Sequence, residues 1–233
     1  MKLGVKKGDK VALMLPNIPE FVFSYLAIVC SGAVAVLLNT SSTPSELAYL
    51  LDNSDATLLI TQGSHEKKYR EIEKGLSSCR SLYLTDHPGS AAEAAAATVQ
   101  NDDSFVQIHP DDPAEIIFTS GLTGKPLGAT LTHGNLCAQL NMIQPIFRRQ
   151  PDDIGLCLIP LFHSFGATVN MLNVIQAGCS TVMMDRLTMD SLFAAIEREK
   201  ITYICAVPRL YIGMVFFDKA PKYDVSSLRL CVT

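Results

Sequence analysis

A chain of 233 residues, 48% hydrophobic and 18% charged, is ordinary globular material, long enough for one large α/β core or two smaller ones. A formal charge of −4 without a basic stripe excludes a nucleic-acid surface, while leaving room for a locally held small anion. Seven scattered cysteines with no CxxC or Cys/His spacing exclude a structural metal site and fit a reducing, cytoplasmic compartment.

The pattern opens with GDKVALMLPN: a Gly-Asp turn, a short apolar strand over 11–15, and Pro16-Asn17 as its stop. Phe21 to Ser45 carries no charge, and four lysines stand within the first ten residues, so a signal peptide and a membrane span both need weighing. Pro16, Asn17 and Glu20 interrupt the approach, and Ser24, Ser31 and Gly32 divide the run. The segment therefore reads as a buried helix ended by Gly32, followed by the buried strand AVAVLLN, with no transmembrane segment. Strand–helix–strand units of this kind build parallel sheets. TPSELAYLLDNSDA is a helix capped by Ser45, with Leu47, Leu50 and Leu51 as its apolar face. TLLIT (57–61) is the next buried strand, EKKYREIEKGL (66–76) an exposed helix stopping near Gly75, and SLYLT (81–85) one more strand.

Residues 88–104, PGSAAEAAAATVQNDDS, have hardly any large apolar side chain to bury and read as a surface excursion. It divides the chain into a first α/β subdomain, 1–100, and a second, 101–233, that carries the glycine loop and is incomplete at its C-terminal end. DDPAEIIFTS leads into that loop, and a helix over about 135–147 follows, disturbed at Pro145. IGLCLIP (154–160) is a strand, GATVNMLNVIQAG a buried helix ending at Gly178, STVMM a strand, and DSLFAAIEREK an amphipathic helix opened by Asp190. ITYICAVP is a strand closed by Pro208, RLYIGMVFF a helix, and LRLCVT a strand in which the chain ends, as a fragment would. The alternation is α/β throughout, without an internal repeat.

The chemistry concentrates in FTSGLTGKPLGATLTHGNL, residues 118–136. Thr119, Ser120 and Thr123 offer hydroxyls, Gly121 and Gly124 let a ligand approach the backbone, and Lys125 adds a cation. Consecutive N–H groups in such a turn can cradle a phosphate. The spacing is not that of a Walker A loop, and an ordinary Gly/Thr hairpin between EIIFT and GATLT accounts for the composition equally well.

The same stretch is similar to the signature loop of the adenylate-forming superfamily, which includes acyl-CoA synthetases, firefly luciferases and peptide-synthetase adenylation domains. Phe118, Thr119, Ser120, Gly121, Thr123, Gly124, Pro126, Gly128, Thr132, His133 and Asn135 carry the match. GDKVALMLPNIPEFVFSYLAIVCSGAVAVLLN, ELAYLLDNSDATLLIT, PLFHSFG (160–166) and VPRLY resemble further blocks of that family, most like its fatty-acid and 4-coumarate-type CoA ligases. The resemblance implies part of the large N-terminal domain, with layered, flavodoxin-like, mostly parallel sheets flanked by helices. It implies ATP and Mg²⁺, a carboxylic-acid substrate (fatty or aryl) and coenzyme A as co-substrate. The acid would attack the α-phosphate to give acyl-adenylate and pyrophosphate, and the thiol would then displace AMP. Thr119, Ser120, Gly121, Thr123 and Gly124, with Lys125 beside them, would hold the β- and γ-phosphates. His163 would be the catalytic histidine at the acyl/adenylate pocket, beside Phe162 and Phe165. His133 is read as orienting the start of the following helix. No metal ligand is assigned within the chain, peripheral membrane contact is left open, and the oligomeric state is not addressed.

Two residues depart from the pattern. Leu122 stands for a Ser/Thr, and Leu127 for the lysine of a Pro-Lys-Gly triplet. A charged hydrogen bond contributes about 1.5–3 kcal/mol, so the missing lysine costs roughly tenfold to a hundredfold in ATP affinity or rate. Lys125, two residues away on an extended segment, faces the same side and offers a rescue. The adenine- and ribose-binding segments and the C-terminal lysine of the family are absent, so the chain alone is expected not to adenylate. The alternatives are a degenerate, non-catalytic acyl- or nucleotide-binding domain or split subunit of the same ancestry, and an unrelated nucleotide-binding α/β domain.

Overall fold

The computed structural model describes residues 3–87, 106–119, 125–184 and 187–233. They form two compact units, Met1–Leu136 and Cys137–Thr233. The alanine-rich excursion lies outside the described residues; the strands flanking the glycine loop belong to the first unit.

The first unit is built on a six-stranded sheet ordered β4-β3-β1-β2-β5-β6. Its strands are β1 (Lys10–Met14), β2 (Val34–Leu37), β3 (Leu58–Thr61), β4 (Ser81–Leu84), β5 (Pro113–Thr119) and β6 (Leu127–Thr132). All neighbours run parallel except β5 and β6, which pair antiparallel. β1, β2 and β3 are apolar on both faces because helices cover both, which is why they read as runs and not as alternations. α1 (Pro19–Cys30) and α2 (Pro44–Asn53) are those crossovers, and α3 (Gly63–Ile72) precedes β4. Gly32 takes φ +72° directly after α1, the left-handed turn that stops the helix.

The expected cap at Ser45 is corrected. Thr43 is the N-cap of α2: its hydroxyl accepts from the Glu46 N–H, and the Glu46 carboxylate accepts from the Thr43 N–H. Pro44 fills the first helical position, where no N–H is needed, and this moves the cap two residues upstream of Ser45. One carboxyl enters this core. Glu115 on β5 is 0% exposed, and its Oε2 accepts the Tyr25 hydroxyl at 2.8 Å.

α4 (His133–Phe147) contains the division between the units, with Pro145 inside its last turn. The second unit carries a four-stranded parallel sheet ordered β10-β9-β7-β8, from β7 (Ile154–Cys157), β8 (Ser180–Met183), β9 (Tyr203–Cys205) and β10 (Leu230–Val232). The buried helix expected over 166–178 is in two parts: a π-helical stretch, Gly166–Leu172, and α5 (Asn173–Ala177), ended by Gly178 at φ +69°. A Cβ at residue 166 would overlap the Pro160 carbonyl, so only glycine lets this segment pack so closely. α6 (Met189–Glu199) is opened by Thr188, which forms a reciprocal cap with Ser191; Asp190, the expected opener, sits in the first turn. α7 (Pro208–Val215) follows β9.

Arg149 is buried in this second unit, 2% exposed. Its guanidinium donates to the Val169 carbonyl at 2.6 Å and to Cys205 Sγ at 3.1 Å, and lies 4.1 Å from the Tyr203 ring centroid. Gly155 makes room for that ring. Gln144 donates to the Arg149 carbonyl and accepts from Asn173, joining α4 to α5. Among the described residues no helix is long and apolar enough to cross a membrane.

Candidate functional site

Parallel sheets place their ligands at the carboxyl ends of the strands. β2 and β5 are parallel neighbours, so the turn entering α2 and the loop leaving β5 emerge at the same edge of the sheet. That loop, residues 120–124, lies outside the described residues, as do Ser120, Gly121, Thr123 and Gly124 among the expected phosphate contacts. Its two stems are described. The register Thr119↔Leu127 makes it the turn of an antiparallel hairpin. The hairpin geometry and a phosphate grip are thus compatible, because a glycine-rich turn between two strands can point several N–H groups at one anion.

Thr119 and Lys125, the expected residues nearest the turn, are both exposed. The Thr119 hydroxyl lies 3.4 Å from the Leu127 carbonyl, a long contact that leaves it available to a better acceptor. Leu127 opens β6 with its side chain 56% exposed, an apolar group facing water where the resemblance expects a cation. Lys125 Nζ sits 5.9 Å from the ring centroid of Tyr49 on α2, and the Tyr49 hydroxyl donates to the Pro126 carbonyl at 3.0 Å. Ser45, Glu46, Tyr49, Leu50, Lys125 and Pro126 line an open cavity of about 250 Å³. Lys68 on α3 donates to the Thr40 and Ser42 carbonyls at 2.8 and 2.9 Å, fixing the turn into α2. Tyr49 was not singled out from the sequence; it stands beside the apolar stripe Leu47, Leu50 and Leu51, where an aromatic looks like core.

The Thr-His-x-Asn part of the motif has a structural explanation. The Thr132 hydroxyl accepts from the Asn135 N–H at 3.1 Å, and the Asn135 side chain accepts from the Thr132 N–H at 3.0 Å, a reciprocal cap on α4. His133 is held by its backbone, donating to the Asp112 carbonyl at 3.1 Å. Burial lowers its pKa, with Asp112 raising and Lys7 lowering it in turn.

His163 belongs to the second unit and is exposed, in the turn ahead of the π-helical stretch. Its N–H donates to the Pro160 carbonyl at 3.0 Å, and its carbonyl accepts from Ala167 at 2.9 Å. Nδ1 accepts the Phe165 N–H at 3.3 Å. Phe165 packs into the unit's core and anchors the turn. Among the described residues no group of three His, Cys, Asp or Glu is placed to hold a metal ion.

A family model described as "AMP-binding enzyme" matches residues 1–233. The chain is 32% identical to 4-coumarate–CoA ligase 3 of Arabidopsis thaliana, over 100% of this chain and 42% of that protein. It is also 32% identical to 4-coumarate–CoA ligase CCL1 of Humulus lupulus, over 98% of this chain and 43% of that protein. The chain therefore spans less than half the length of these curated relatives. Among solved structures, the N-terminal domain of FACL13 from Mycobacterium tuberculosis superposes with a TM-score of 0.88 at 24% identity, covering 99% of this chain and 57% of that one; this bears on the fold alone. ATP-bound MatB from Rhodopseudomonas palustris superposes with a TM-score of 0.85 at 27% identity, covering 98% of this chain and 45% of that one. The layered, mostly parallel α/β architecture is that of the large N-terminal domain of adenylate-forming enzymes. With every residue inside the matched region, the chain belongs to the family of AMP-binding enzymes.

Proposed function

We propose that this chain supplies the phosphate-gripping part of an ATP-dependent acid–CoA ligase. The observation that carries this reading is the placement of the glycine-rich turn, flanked by exposed Thr119 and Lys125, at the carboxyl edge of the first sheet. Thr119, Ser120, Gly121, Thr123, Gly124 and Lys125 are the residues proposed to hold the β- and γ-phosphates. Mg²⁺ is proposed to arrive with the nucleotide and neutralise its charge. Phosphoryl-centred chemistry asks the protein mainly for positioning and charge, so a hairpin stem with an exposed ammonium beside it suits it. A carboxylic acid, fatty or aryl, would attack the α-phosphorus with pyrophosphate leaving, and coenzyme A would then displace AMP. His163 is proposed to stand at the acyl/adenylate pocket. Seven scattered cysteines without CxxC spacing support a reducing, cytoplasmic setting.

The exposed Leu127 favours a second reading, a degenerate domain that keeps the fold and has lost the grip. Titration calorimetry with MgATP separates the two. Saturable binding that is lost in a Gly121→Val, Gly124→Val double variant supports the first reading; no heat from the folded wild-type chain supports the second.

A further inference from the structure

We infer that Tyr49 is a positioning residue for the phosphate grip, holding the exit stem of the hairpin through its hydroxyl and the Lys125 ammonium through its ring. This rests on the ATP-binding reading above and extends it to a residue that the loop motif does not contain. The stem is held from two sides at consecutive carbonyls: Tyr49 donates to Pro126 at 3.0 Å, and Thr119 reaches Leu127 at 3.4 Å. Tyr49 is a firm anchor, because α2 is capped at Thr43 and buries Leu47, Leu50 and Leu51. Its ring centroid lies 5.9 Å from Lys125 Nζ, within the range at which a ring face attracts a cation. Glu46 lines the same cavity and would be the natural ion-pair partner. Its Oε2 accepts from the Thr43 N–H and hydroxyl, at 2.8 and 3.0 Å, in the cap of α2. Among the described residues Lys125 forms no ion pair, and the Tyr49 ring is the group its ammonium lies against. With leucine at 127, Lys125 is the cation that the exit stem can present to a polyphosphate.

The test compares MgATP with AMP, which lacks the β- and γ-phosphates, on the 233-residue chain and its Tyr49→Phe, Tyr49→Leu and Lys125→Met variants. Tyr49→Phe should weaken MgATP about fivefold, the scale of one neutral hydrogen bond, with AMP unchanged. Tyr49→Leu should weaken MgATP further, and adding Lys125→Met to it should cost less than Lys125→Met does alone. Tyr49 variants that bind MgATP like the wild type, or that lose MgATP and AMP equally, overturn the inference. Should the folded wild-type chain bind neither nucleotide, the ATP reading fails by itself. Hydrogen exchange at the Lys125, Leu127 and Gly128 amides then decides the role of Tyr49: faster exchange in Tyr49→Phe sustains it, and unchanged exchange overturns it.

Discussion

At Leu127 the hairpin exposes 56% of an apolar side chain at the first position of β6, next to the carbonyl that Thr119 approaches. A lysine there would start from the same backbone and reach toward the turn. Leu127→Lys should therefore tighten MgATP about tenfold in calorimetry, the scale of one charged hydrogen bond. An unchanged constant would mean that Lys125 or the backbone already supplies the charge. Glu115 makes a different prediction. Burial raises its pKa, with the Tyr25 hydrogen bond acting the other way. The native carboxyl thus keeps a proton that the unfolded chain releases. Its contribution is fully present below the ordinary carboxylate range and is lost as pH rises toward the raised native value. Glu115→Gln should remove that loss, so the variant gains stability relative to wild type as pH rises above the ordinary carboxylate range, about pH 4, in urea unfolding. A constant difference as pH rises would show that Glu115 does not titrate differently in the two states.

Most elements were legible because glycine and proline punctuate this sequence. Gly32 and Gly178 end helices in left-handed turns, and Pro44 begins one; Pro208, expected to close a strand, is instead the first residue of α7. At the start of α2 the Thr43-Pro-Ser-Glu46 box is a better local signal than Ser45. Thr43→Ala should cost about 1 kcal/mol in thermal or urea unfolding, against a few tenths for Ser45→Ala. The π-helical stretch was not legible, since it depends on Gly166 meeting the Pro160 carbonyl, a tertiary contact. Nor was the pairing of Glu115 with Tyr25, 90 residues away, which local pattern does not encode. Arg149 behaves likewise: nothing around it in sequence announces a buried guanidinium lying on Tyr203. Its planar group is matched to that ring and to two acceptors, so Arg149→Lys should destabilise by about 2 kcal/mol, and Arg149→Met, which removes the buried charge, by less.

For the whole molecule, the site is legible as a motif and only partly as a mechanism. The hairpin stems and the cap made by Thr132 and Asn135 follow from residues that the resemblance had already marked. Tyr49 did not, because its role needs α2 and β6 brought together. Finally, the loop leaves β5 and returns as β6, and α4 begins only at His133. Where a phosphate loop opens directly onto a helix, the aligned peptide dipoles supply a fixed positive end that salt screens only in part. Among the described residues the two strands of this hairpin do not themselves run into a helix at that edge, so in the proposed grip the attraction for phosphate depends on the exposed Lys125 ammonium and on backbone amides. Ionic strength should then weaken nucleotide binding steeply, and the gain from Leu127→Lys should shrink as salt is added.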